Sequence, residues 1–120
     1  MERWAFGDKK DELADKVLNG IKTATCYLFH GEIPVVGEKS IIIDSNSNDV
    51  CMIELVEFKK LKFNEMTENT AVLEGEGDLK EWKKIHKTFF SKILEVEESE
   101  FDENTPIVFE IFKVIKKYKR

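Results

Sequence analysis

Apolar residues recur with two different periods along this chain, and the switches between them outline its elements. Leu13, Ala14, Val17 and Leu18 share one face at helical spacing, which predicts a helix from about Lys9 to Asn19. Asp8 is its N-cap candidate and Gly20 its left-handed stop. From Lys22 to Phe29 the run is rich in Thr, Tyr and Phe and reads as a strand, followed by a loop over Gly31 to Gly37. Ile41, Ile42 and Ile43 form a β-branched run, which predicts a strand over Lys39 to Asp44 buried on both faces. A polar turn at Ser45 to Asp49 leads into a returning strand, Val50 to Phe58. Leu61 and Phe63 continue its pattern beyond a bend at Lys59-Lys60.

The second half begins with helices. Thr67 is placed to cap a short helix ending near Leu73, and Glu74-Gly75-Glu76-Gly77 reads as a loop. Asp78 with Glu81 resembles a capping box for a longer helix, whose Trp82, Ile85, Phe89 and Ile93 predict a core-facing stripe. Ile107 to Ile115 alternates as a closing strand. Strands of mixed length interrupted by helices argue against a doubly wound parallel sheet. The order fits an α+β chain, a small mixed β-barrel with flanking helices. No repeat or linker divides it, so residues 1–120 are expected to form a single domain.

Composition narrows the function classes. The 120 residues are 42% hydrophobic, a globular balance, with no apolar run approaching the ~20 residues of a membrane span. The charged start, Met1-Glu2-Arg3, is no signal peptide, so a cytoplasmic location is expected. Cys26 and Cys51 fit that compartment as buried free thiols. Two separated cysteines and two lone histidines show no ligand spacing, so neither a metal site nor a cofactor is expected. The net charge of -5 argues against a general duplex binder, because phosphate affinity comes from Lys and Arg. Six acids between Glu95 and Glu103, and the basic stretch Lys113 to Arg120, read as solvated segments.

The most informative segment is Gly20-Ile21-Lys22-Thr23-Ala24-Thr25, at a helix-to-strand junction. In a regular strand Lys22 and Thr25 would point to opposite faces, so both reach one cleft only if the strand begins with a bend. A Thr hydroxyl needs an adjacent base to become a nucleophile. A Lys can supply that base when desolvated, or remain charged and stabilise an oxyanion, and a Glu in a partly apolar pocket can move a proton to a leaving amine. A Lys–Glu pair is also a common structural salt bridge. Trp82 belongs to the helical stripe, where packing is its default role, and His86 one turn on reads as a hydrogen-bonded structural histidine. Trp4, near the start of the chain, either lines a base-sized cleft or caps the core.

These segments together resemble the ASCH family. The Gly20-x-Lys22-x-x-Thr25 stretch resembles the family signature, and Trp4-Ala5-Phe6-Gly7-Asp8 its opening. Val36-Gly37-Glu38 and Phe63-Asn64-Glu65-Met66-Thr67 look like later family segments, as does Glu74-Gly75-Glu76-Gly77-Asp78 with Trp82, His86, Phe89 and Phe90. The resemblance runs in family order over almost the whole chain. It implies a fold similar to PUA domains, with a cleft between barrel and helices, and a role on RNA or its nucleosides. Members of the wider superfamily include N4-acetylcytidine amidohydrolases, ribonucleases and RNA-binding modules. By position the amidohydrolase roles fall on Lys22, Thr25 and Glu74, with Glu76 as the other candidate acid. Trp4, Gly20, Tyr27, Glu76, Trp82 and His86 are the implied ligand-binding set. Where the family signature often carries Arg, this chain has Tyr27; a phenol cannot grip phosphate bidentately, but it can stack on a base.

Three readings follow: a small metal-independent hydrolase acting on a modified nucleoside or single-stranded RNA, a non-catalytic RNA- or nucleotide-binding module, and a protein-interaction domain with a vestigial cleft. The presence of Lys22, Thr25 and Glu74 together favours an enzyme over the third reading, and the first is preferred, with the second close behind. A cleft lysine is expected to contribute little packing, so that Lys22→Ala would spare the fold.

Overall fold

A computed structural model describes residues 1–119. Its order is β1 (Glu2–Trp4), α1 (Lys10–Leu18), β2 (Ala24–Leu28), β3 (Lys39–Ile43), β4 (Asp49–Lys62), α2 (Glu68–Leu73), α3 (Leu79–Leu94) and β5 (Pro106–Lys117), with short 3-10 turns at Phe63–Glu65 and Glu98–Glu100. One five-stranded sheet runs β1-β3-β4-β5-β2, parallel only between β1 and β3. The expected α+β barrel is therefore a half-barrel, with β1 and β2 as its two free edges. The long strands β4 and β5 bend through register shifts at Met52/Ile53 and Leu55/Glu57. Bulges add local twist and curvature, and here they curl the sheet around one concave face.

Several boundaries differ from the sequence reading, each for a local reason. Trp4 lies in a short edge strand, β1, that three residues of pattern are too short to announce. Asp8 does not cap α1: its side chain accepts only from the Lys9 N–H, and Lys9 itself is the cap residue, in a left-handed conformation at φ 48°. The other end of α1 follows expectation. Gly20, at φ +75°, lets its own N–H reach the Val17 carbonyl and that of Ile21 reach the Lys16 carbonyl, a Schellman closure. No break occurs at Lys59-Lys60, because β4 pairs with β5 as far as Lys62. Of the three isoleucines in β3 only Ile42 is fully buried, since that strand covers one face rather than two.

The core forms two clusters. Phe6, Leu13, Ala14, Val17 and Ile42 pack α1 against one end of the sheet. Phe63, Trp82, Phe90, Phe101 and Phe109 pack α3 against the other. The caps of the two later helices are the expected residues, with Thr67 accepting from the Thr70 N–H and Asp78 from the Glu81 N–H. The stripe on α3 is rotated from its expected position. Trp82, His86, Phe90 and Ser91 are the buried residues, whereas Ile93 is 55% exposed. Part of the helix's apolar face is left to do something other than fill the core.

Candidate functional site

A chain reversal brings the key residues together. Lys22 lies just outside β2, in the turn that the Schellman closure creates, and the Thr23 N–H bonds the Leu73 carbonyl at 2.8 Å. That bond ties the start of β2 to the end of α2. Gly75 completes the approach: at φ +72° its α-carbon lies so near Ile21 that a β-carbon would stand 2.9 Å from the Ile21 carbonyl oxygen. Only glycine lets the 74–77 loop close down on Lys22 in this way.

Lys22 is 2% exposed and Glu74 not at all. Lys22 Nζ donates to the Glu74 carbonyl oxygen at 3.0 Å and stands 3.8 Å from both Glu74 Oε1 and Glu76 Oε2. Trp82 Nε1 donates to Glu74 Oε2 at 2.8 Å. His86 stacks on the Trp82 ring, with centroids 4.3 Å apart. Its Nδ1 is 2.9 Å from the Trp82 carbonyl oxygen, an acceptor, so Nδ1 carries the hydrogen and donates it. Nε2 then faces Glu74 Oε1 at 3.6 Å and Glu76 Oε2 at 3.7 Å. Among the described residues none gives Glu74 Oε1 a hydrogen bond, although the atom is fully buried.

Burial dominates the electrostatics of Glu74. It pushes the carboxyl above its ordinary 4.5, against the pull of the Lys22 charge, His86 and the Trp82 hydrogen bond. Desolvation outweighs the ion pair because the contact, at 3.8 Å, is not a hydrogen-bonded one. A carboxyl raised in the fold stabilises the protein fully below pH 4.5, and that contribution is lost as the pH climbs through the folded-state value. Glu74→Gln is therefore expected to flatten the pH dependence of stability. Urea denaturation of both proteins at several pH values should show the variant gaining on the wild type between pH 4.5 and neutrality. A constant gap across that range would show that Glu74 does not titrate abnormally.

A cavity of about 590 Å³ opens beside this cluster, on the concave face of the half-barrel under α3. Lys22, Thr25, Tyr27, Glu76, His86 and Trp4 all line it. The bend the signature required is present: β2 begins only at Ala24, after Lys22, and both Lys22 and Thr25 reach the cavity wall. Trp4 is half-buried there, fixed by donation from Nε1 to Ser40 Oγ at 2.9 Å. Gly20, Glu74 and Trp82 are not among its lining residues; Glu74 is fully buried against Lys22 and His86, which are. Gly20 is an exposed helix terminus, and Trp82 stands behind the wall, holding Glu74. Sequence reasoning missed Ile85, Phe89 and Ile93 as cavity residues, because a ligand-facing apolar stripe has the same period as a core-facing one.

The expectation that no metal ligands converge needs correction. Cys26, Glu74 and His86 each place one donor atom within 4.8 Å of the others. Chain spacing could not show this, since the three come from β2, a loop and α3. The charges do not suit a cation, however. Lys22 already stands against Glu74, and burial, with Glu74 adding to it, pushes the Cys26 thiol well above 9.0, away from the thiolate a metal needs. Neither cysteine is in a disulfide; Cys51 is buried and Cys26 half-buried with its sulfur turned inward.

A model of the ASCH domain matches residues 2–116. The chain belongs to the ASCH domain family. Two solved structures match nearly its full length. An ASCH domain from Lactobacillus crispatus is 31% identical at a TM-score of 0.86, over 96% of this chain and 79% of that one. A protein from Enterococcus faecalis is 27% identical at a TM-score of 0.86, over 99% of this chain and 82% of that one. A mutant ASCH protein from Zymomonas mobilis is 10% identical at a TM-score of 0.58, over 93% of this chain and 66% of that one, and shares the fold alone. No curated protein matches the chain. Among the described residues no helix is long and apolar enough to cross a membrane.

Proposed function

We propose that this ASCH domain is a small hydrolase that cleaves an amide on a modified nucleoside, of the N4-acylcytidine type, without a metal ion. The observation that carries the reading is Glu74 Oε1: a fully buried carboxylate oxygen that accepts no hydrogen bond, 3.8 Å from the Nζ of Lys22, which itself lines the cavity. Buried polar atoms are almost always satisfied, and an arrangement that gives up stability in this way suits chemistry better than architecture.

In this reading Thr25 Oγ1 attacks the acyl carbon, forming a C–O bond, while its proton passes to the Lys22–Glu74 pair. The negative charge developing on the carbonyl oxygen is stabilised by the Lys22 amine. The C–N bond then breaks as the pair returns the proton to the departing exocyclic nitrogen, and water hydrolyses the acyl-threonine by the same relay. Glu74 suits the relay because its raised carboxyl exchanges a proton more readily near neutrality than an exposed one. Glu76, half-buried at the rim and 3.8 Å from Lys22, is the auxiliary acid. His86 and Trp82 position Glu74, and Trp4, Tyr27 and Phe89 offer flat surfaces to a base.

The test is release of acetate from N4-acetylcytidine by the purified protein, with short single-stranded RNA and a chelator in parallel. The expected result is acyl release unaffected by chelator, with the RNA intact. Binding without release would leave a non-catalytic nucleoside-binding module, and activity restored only by a divalent ion would transfer the chemistry to the Cys26–Glu74–His86 cluster.

A further inference from the structure

The chemistry above uses only the inner end of the cavity; its outer wall carries a second arrangement. Tyr27 lies diagonally across the β2–β5 ladder from Glu110, whose direct partner is Thr25, and the Tyr27 hydroxyl donates to Glu110 Oε2 at 2.7 Å. Both are cavity residues, and Glu2, Glu32 and Glu38 line the same space. Burial raises the Glu110 carboxyl above its ordinary value against the pull of the Tyr27 hydrogen bond, and the negative charges of Glu38 and Glu2 raise it further, so these groups share one electrostatic environment. Of the two lysines on the wall, Lys22 is engaged with Glu74 and Glu76 at the inner end, and Lys9 stands exposed at the rim.

We infer that Tyr27 and Glu110, backed by Glu38 and Glu2, form a specificity filter that admits unphosphorylated nucleosides or free bases and rejects nucleotides and RNA strands. This rests on the reading of the cavity as a nucleoside site. Carboxylates are acceptors only, so the wall recognises ligands rich in N–H and O–H donors, such as a ribose diol or an exocyclic amine. The Tyr27 hydroxyl orients the Glu110 carboxylate by occupying one of its oxygens. A phosphate brought to the same wall meets like charges, and at the half-buried Glu110 the repulsion is stronger than in bulk water. Glu110 is thus a specificity-determining residue, and Tyr27 a positioning residue acting through it.

The test is equilibrium binding of cytidine and cytidine 5′-monophosphate to the full chain at low ionic strength. Both ligands are hydrolysis products or their analogues, so turnover does not interfere. The wild type is expected to bind cytidine at least ~10-fold more tightly than the monophosphate. In Glu38→Gln/Glu110→Gln the preference should shrink to under about 3-fold through tighter nucleotide binding, and salt should narrow it in the wild type. Glu38→Gln alone, at an exposed position, should move the ratio part of the way without risk to folding. Tyr27→Phe should weaken cytidine binding without improving that of the nucleotide. Equal or tighter binding of the monophosphate, a ratio unmoved in the double variant, or no binding of either ligand overturns the filter. Acyl release from nucleoside and nucleotide at equal rates would also overturn it while leaving the hydrolase intact. A cytidine preference with no acyl release overturns the hydrolase and leaves the filter standing.

Discussion

Lys22→Ala is expected to abolish turnover and to lower stability by about 3 kcal/mol, a drop in Tm on the order of 10 °C for a domain of this size. Sequence reasoning expects a cleft lysine to be dispensable for folding, but at 2% exposure Lys22 is among the most buried side chains of the chain. Its removal leaves Glu74 without a cation hydrogen-bonded nearby, held by the Trp82 hydrogen bond beside the His86 ring and the Cys26 sulfur, and it takes away the contact 5.4 Å above the Phe6 ring. The loss falls at the low end of the range for broken buried pairs, because the Lys22–Glu74 contact, at 3.8 Å, is longer than a hydrogen-bonded pair. Stability and chemistry separate in the double variant. Lys22→Ala/Glu74→Gln removes both charges, so most of the lost stability should return, a coupling of about 2 kcal/mol. Turnover should stay absent. Thermal melts and acyl-release assays on the two single variants and the double one decide the matter. A double variant that recovers activity along with stability would reduce Lys22 to a structural counter-ion.

Thr25→Val isolates the other half of the site. The residue is half-buried on β2, lines the cavity, and pairs across the sheet with Glu110. Valine keeps the β-branched shape that strands favour and loses only the hydroxyl. Stability should therefore change by less than ~1 kcal/mol, since no buried partner is left unsatisfied. Turnover should fall by about 10³ or more, as it does when a covalent nucleophile is deleted. Product binding should persist, because the acceptor wall and the aromatic surfaces are untouched. Retention of a tenth or more of wild-type activity would mean that water, not Thr25, attacks the acyl carbon. A variant that loses cytidine affinity and activity together would instead make Thr25 a ligand contact.

How much of this was legible in the residues alone follows from the range of each interaction. Local chemistry sufficed for the Gly20 stop, for Thr67 and Asp78 as caps, and for the polar turn in which Asp44 Oδ1 accepts from the Asn46 and Asn48 N–H groups at 2.9 Å. Each of these depends on neighbours within a few positions, so the pattern of side chains is enough. Motif order along the chain carried the family and pointed to Lys22, Thr25 and Glu74, of which the fold sets Lys22 against Glu74. The half-barrel was not legible, because its curvature depends on bulges in β4 and β5 that arise only when the two strands pair. The rotated stripe on α3 was hidden for a related reason. Periodicity reveals that a face is apolar, not whether protein or a cavity will meet it. The burial of Lys22, the Glu74 oxygen left without a hydrogen bond and the gathering of Cys26 beside His86 join residues 22, 26, 74 and 86 from separate elements. Desolvation depends on what surrounds a group in space. Only the folded chain, with the 74–77 loop pressed onto Ile21, decides it.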